Sequence, residues 1–128
     1  MRFSTIVLIV PVGLAGALGA LMRYLLGRFI SERAPLQFPL GTLLINVTGA
    51  FLIGLLLAPT THKIVTTSIQ LMLATGFLGG YTTFSTMCWE GRQLLRSANW
   101  RFSILYLGGT LAGGLLAAAL GLSLGGLF

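Results

Sequence analysis

Apolar residues in this 128-residue chain come in long blocks, and the charged residues fall between them. There are 20 uncharged residues between Arg2 and Arg23, 28 between Arg33 and His62, 26 between Lys63 and Glu90, and 27 after Arg101. A helix needs about 20 apolar residues to cross a hydrocarbon core of about 30 Å. The pattern therefore predicts four membrane-spanning helices, over residues 4–27, 40–58, 66–89 and 102–124, joined by loops too short to fold independently. The expected fold is an all-α membrane protein, with residues 1–128 forming one four-helix transmembrane domain.

Each predicted span has its own polar or small residues. The first contains Pro11 and pairs of small residues at helical spacing, Ala15/Gly19 and Gly16/Ala20, which let another helix approach closely. Asn46 is the only strongly polar member of the second, in "GTLLINVTGAFLIG". The third holds "GGYTTFST", residues 79–86, and continues into "EGRQLLRS", which reads as a helix end emerging into the interface. The fourth combines Tyr106 and Thr110 with a glycine ladder that includes Gly109, Gly113 and Gly114.

Composition supports the membrane reading. The chain is 55% hydrophobic and only 8% charged, with a mean hydropathy of +0.95, whereas soluble domains carry about a quarter charged residues. A net charge of +6 would suggest nucleic acid in a soluble protein. Here the arginines flank the spans, where they anchor helix ends and face anionic headgroups, and no basic run is interleaved with aromatics. Arg28, Arg33, Arg96 and Arg101 belong to the first and third loops, against Arg2 and Lys63 on the other side. The positive-inside rule thus favours the first and third loops in the cytoplasm. Cys88 is the single cysteine and cannot form an internal disulfide.

Two readings are open for "GGYTTFST". Adjacent glycines weaken a helix by about 1 kcal/mol each relative to alanine, and nearby hydroxyls can bond to backbone groups set free. A helix broken at membrane depth is tolerated where protein or a water-filled cavity covers it, and such breaks offer carbonyls to cations and amides to anions. The plainer reading is a glycine-rich kink in close packing. Beyond it, Phe84 and Met87 share one helix face and Thr83 and Thr86 another. Phe84 and Met87 could be packing residues, or the positive ring edge could face an anion. Asn46 could be interhelical glue or an amide donor aimed into a polar path. Arg23 could snorkel to the interface or form a cationic vestibule.

The acids discriminate further. A proton-coupled exporter of cations would usually keep a carboxylate within the membrane, yet Glu32 falls in a loop and Glu90 at the end of a span. No Ser/His/Asp set, metal-ligand spacing or phosphate loop is present, and His62 is a lone loop residue. Hydrogen-bond donors, ring edges and positive charge suit the passage of a small anion and do not suit catalysis.

Three motifs, "GALGALMRY", "GTLLINVTGAFLIG" and "GFLGGYTTFSTMCWE", together resemble the fluoride channels called Fluc, or CrcB proteins, in order over nearly the whole chain. The resemblance implies an antiparallel, dual-topology homodimer with two pores in the bacterial inner membrane, exporting fluoride passively from the cytoplasm. It also implies a sodium ion at the dimer centre, held by backbone carbonyls that correspond to Gly79 and Thr82. The family's pore phenylalanines correspond to Phe84 and, at the second position, Met87. Asn46 matches the pore asparagine, Arg23 the vestibule arginine, and Ser85 and Thr86 the polar lining. Tyr106 and Thr110 resemble the family's hydroxyl-bearing positions beside the pore.

Many members have "TTFSTF" where this chain has "TTFSTM". A thioether lacks a positive ring edge, so slower conduction is expected. The rival reading is a small multidrug exporter, also a four-helix antiparallel dimer, in which Glu90 would have to alternate between proton and drug.

Overall fold

The structure, a computed structural model, describes residues 3–33, 39–58, 65–97 and 100–126. Every regular element among the described residues is helical. In chain order these are α1 (Phe3–Arg33), α2 (Leu40–Leu57), α3 (Thr67–Leu71), a π-helical stretch (Met72–Leu78), α4 (Gly79–Tyr81), α5 (Ser85–Ser97) and α6 (Trp100–Gly125). Three segments, Ile6–Arg33, Leu40–Leu57 and Trp100–Gly125, are long and apolar enough to cross a membrane. With a rise of 1.5 Å per residue, α2 alone extends about 27 Å. Arg2 and Lys63, assigned above to the side opposite the first and third loops, and the loop residue His62 lie outside the described residues.

The first helix runs past residue 27 to Arg33, into what the charge pattern reads as loop. Side-chain contacts support the added turns. Arg28 Nε donates to Glu32 Oε1 at 2.9 Å, one turn away, and the Arg33 guanidinium lies 4.3 Å from the Phe29 ring centroid. Pro11 sits inside the same helix.

The third region, predicted as one span over 66–89, is divided. Thr66 caps its start by accepting from the Ile69 amide at 3.3 Å. The helix then widens to π geometry over Met72–Leu78, tightens again for Gly79–Tyr81 and stops. Thr82, Thr83 and Phe84 are non-helical before α5 begins at Ser85. The π stretch of seven residues is separated from the non-helical residues only by Gly79–Tyr81.

Two close backbone contacts hold the bundle together. On α1, a Cβ added at Gly19 would strike the Phe77 carbonyl and the Tyr81 amide, and one at Gly80 would strike the Gly16 carbonyl. Thus α1 packs along the π stretch and α4. On the other side, Gly54 of α2 lies against the Ala118 carbonyl of α6, and Gly121 of α6 against the Phe51 carbonyl. Small residues at such crossings let helices approach in lipid, where no hydrophobic force drives them together. Ile45, Leu78 and Tyr81 form the core between the two pairs, with Leu26, Ile53 and Phe77 packed against them. Gln70 is buried and donates to the Leu56 carbonyl at 2.7 Å, tying the start of the third region to the end of α2.

The outward surface is apolar. Leu14, Leu18 and Leu21 are all more than half exposed, which suits acyl chains as solvent and would mark a sticky patch in water. The backbone contact between α2 and α6 generates a stability prediction. Gly54→Val should destabilise the protein by about 3 kcal/mol, the upper part of the overpacking range, because the new side chain meets main chain that cannot rotate away. Gly13→Ala, which meets nothing within 4 Å and brings in a better helix former, should not lower the midpoint of thermal unfolding in detergent.

Candidate functional site

The break is built by a change of hydrogen-bond partners. Thr82 closes the preceding helix twice, since its amide donates to the Leu78 carbonyl at 2.9 Å and its hydroxyl to the same oxygen at 2.8 Å. Its backbone then turns extended, at φ −80° and ψ 156°. In a continuous α-helix the Thr83 amide would close on the Gly79 carbonyl, four residues back. It donates instead to Asn46 Oδ1 at 2.9 Å, while Asn46 Nδ2 donates to the Thr83 carbonyl at 2.9 Å. The next diversion follows at once. The Thr86 amide, which would close on Thr82, donates to Thr83 Oγ1 at 3.2 Å. Regular bonding resumes with the Cys88 amide on the Phe84 carbonyl at 3.0 Å.

Two cavities meet at this point. One, of about 340 Å³, is lined by Asn46, Thr82, Thr83, Phe84, Met87 and Thr110 together with apolar residues of α6. The other, of about 390 Å³, contains Arg23, Thr42, Thr83, Thr86 and Glu90, with Tyr24 and Arg28. Thr83 borders both. The cavity on the Arg23 side opens where α1 ends and α2 begins, so a guanidinium and a carboxylate share its wall. Thr42 Oγ1 donates to Glu90 Oε1 at 2.5 Å, and Tyr106 is completely buried beside both.

The sequence-predicted residues distribute as follows. Asn46, Thr82, Phe84, Met87 and Thr110 come together in the first cavity, and Arg23 and Thr86 in the second. Ser85 is exposed at the start of α5 and lines neither, and Tyr106 is enclosed behind them. Gly79 lies on an open face, where an added Cβ would approach nothing closer than the Ala74 carbonyl at 3.9 Å. Phe84 is 76% exposed. It belongs to the non-helical stretch, so it shares a cavity with Met87 and not the helical face expected from their spacing. Likewise Thr83 and Thr86 are linked by an amide-to-hydroxyl bond and not by a common helix face. The Thr110 hydroxyl donates to the Tyr106 carbonyl at 2.6 Å, so its proton is committed within its own helix in this conformation.

Thr83 and Thr42 were missed as site residues. Thr83 had a usable signal, because a threonine three residues ahead of a helical amide is the spacing of an N-terminal cap. Thr42 had none, since its partner lies 48 positions away.

Three membrane-length helices packed around a segment with non-helical residues at 82–84 define a helical membrane protein. The chain belongs to the CrcB family, residues 10–122 matching the family described as CrcB-like protein, Camphor Resistance. It is 50% identical over 113 residues to the "Fluoride-specific ion channel FluC" of Hydrogenobaculum sp., covering 88% of this chain and 92% of that one. It is 46% identical to the protein of the same name from Acidobacterium capsulatum, covering 89% and 92%. To "Fluoride-specific ion channel FluC 2" of Bacillus thuringiensis it is 44% identical, covering 91% and 95%.

The link between α2 and α5 can be tested by itself. Thr42→Val deprives the half-buried Glu90 carboxylate of its hydrogen-bond donor and should cost about 1–3 kcal/mol. Thr42→Ser should restore most of that loss, with both read from unfolding midpoints in the same detergent.

Proposed function

We propose that this chain is a passive, selective fluoride channel of the bacterial inner membrane, which exports fluoride from the cytoplasm and so relieves its toxicity. The observation that carries this reading is the cavity at the break, where Asn46, Phe84 and Met87 converge in a chain whose relatives bear the name of fluoride channels. Fluoride is small and tightly hydrated, so a selective path must replace its water with closely spaced donors. A carboxamide has two N–H bonds. One of those on Asn46 is taken by the Thr83 carbonyl, leaving the other for the cavity. The edge of the Phe84 ring is electropositive and adds attraction without adding a cation-binding group. On the far side of Thr83, Arg23 gives the entrance a positive field that concentrates anions and opposes cations. Met87 provides a polarizable thioether in place of a second ring edge.

The assembly in this reading is an antiparallel, dual-topology homodimer of four-span chains, with the third span broken and two pores in the pair. The exposure of Phe84 and of the Leu111 and Leu115 face of α6 supports it, because a second copy would cover these side chains and complete the cavity they border. Sodium would be held at the centre by the carbonyls of Gly79 and Thr82. The residues fit such an ion: the amides that would close on these two carbonyls in a helix bond elsewhere, and carbonyl oxygens suit a hard cation. Bound there, sodium would supply a fixed positive charge at the centre of the assembly. The proton-coupled drug exporter is not favoured by the family match.

Purified protein reconstituted in liposomes should release fluoride, followed with a fluoride-selective electrode, and should not release chloride under the same gradient. Phe84→Ile should abolish fluoride release while the dimer still assembles, and unchanged release would remove Phe84 from the path. Protein prepared throughout in sodium-free medium should show no fluoride efflux. Full activity there would count against Gly79 and Thr82 as ligands.

A further inference from the structure

The geometry points to Asn46 and the Thr83 hydroxyl as positioning residues of the cation site, holding the third segment open so that the Gly79 and Thr82 carbonyls stay available to a cation. This rests on the reading that a cation binds those carbonyls, and it gives Asn46 a task separate from lining the anion path.

The argument is one of register. Four backbone groups at the break bear on the two proposed oxygens: the carbonyls of Gly79 and Thr82 and the amides of Thr83 and Thr86, each amide four residues beyond its carbonyl. Both of these amides have another acceptor. Asn46 Oδ1 holds the Thr83 amide at 2.9 Å, and Thr83 Oγ1 holds the Thr86 amide at 3.2 Å. Asn46 also holds the Thr83 carbonyl through Nδ2 at 2.9 Å, so the residue is gripped on both of its main-chain groups.

A carboxamide is suited to this because it places a donor and an acceptor side by side, as a neighbouring peptide group does. Aspartate offers only acceptors and leucine offers neither. The grip is part-buried, with Thr83 only 8% exposed, so bulk water is a poor substitute for a missing partner. If Asn46 were removed, the cheapest way to satisfy the Thr83 amide would be to take back the Gly79 carbonyl. That motion would withdraw an oxygen from the cation and advance the helix by one residue towards Phe84. Loss of the Thr83 hydroxyl would act the same way on Thr82.

A pore-lining role and a positioning role both predict loss of fluoride efflux, so flux does not separate them. Sodium binding in the absence of fluoride does. The full-length protein in detergent would be melted across a series of sodium concentrations in fluoride-free buffer with an organic cation as replacement, since a ligand of the native state alone raises the unfolding midpoint by mass action. For the parent, the midpoint should rise with sodium along a saturable curve. Asn46→Leu should move the half-saturating concentration upward at least tenfold, whereas Phe84→Ile, which alters only the anion path, should leave it within threefold. Thr83→Val keeps the side-chain shape and should also weaken sodium at least tenfold, and this variant carries the test if Asn46→Leu does not fold. In both weakened variants the Thr83 or Thr86 amide should still be protected from hydrogen exchange, now by the helix. A parent midpoint that ignores sodium would overturn the cation site itself. A parent that responds, with Asn46→Leu or Thr83→Val unchanged within threefold, would overturn the positioning role and leave Asn46 as a donor to the anion.

Discussion

A hydrocarbon solvent offers no hydrogen bonds, and that constraint governs the rest of the structure. A chain crossing it as a helix meets the demand residue by residue, each amide paired with the carbonyl four positions back. An interruption leaves polar main chain that something else must satisfy. Here the substitutes are a carboxamide from α2 and a hydroxyl from the interrupted segment, which take up the freed amides at 2.9 and 3.2 Å. The freed carbonyls are then left without their usual donors, and this is the chemical resource of the site. In the proposed cation site these uncharged oxygens are the ligands.

Such an interruption is tolerated only on a rigid surround. That surround comes from small residues, because dispersion at close range replaces the hydrophobic effect inside a bilayer. Gly16, Gly19 and Gly80 bring α1 against the segment that leads into the break, and Gly54 and Gly121 lock α2 to α6. The same α2 carries Asn46 at its middle and Thr42 near its start. One helix therefore reaches both the break, through Thr83, and the carboxylate of α5, through Glu90. Moving α2 by the width of a methyl group would disturb both contacts at once, which is why its packing face against α6 is glycine where the backbones touch.

Charge is arranged to leave the middle neutral. Among the described residues, Arg28 and Arg33 stand at the end of α1, Arg92 and Arg96 in the later part of α5, and Arg101 at the start of α6. The contacts of Gly41 with Gly27 and of Ser103 with the Gly91 carbonyl bring these ends together. Arg23 reaches furthest inward and shares its cavity with Glu90. A positive rim with donors beyond it attracts an anion and then gives it somewhere to lose its water, in keeping with the proposed fluoride path.

The sequence by itself determined the solvent, the helical class, the apolar segments and a stretch in which a regular helix is hard to sustain. Those follow from local quantities: the length of uncharged blocks, the scarcity of acids, and glycines beside hydroxyls in "GGYTTFST". Family membership was also legible, through three motifs in order. Only the tertiary structure decided which group takes up the Thr83 amide, because its acceptor lies 37 positions away in Asn46, and no period along the chain encodes that distance. The extension of α1 to Arg33 and the π-helical stretch before Gly79 were hidden for related reasons. The first depends on an exposed Arg28–Glu32 pair that charge counting assigns to a loop. The second lies against α1 through Gly16, Gly19 and Gly76 and has no composition of its own. Local pattern fixes which solvent a residue prefers, whereas the partner of each buried polar group is set by where the other helices lie.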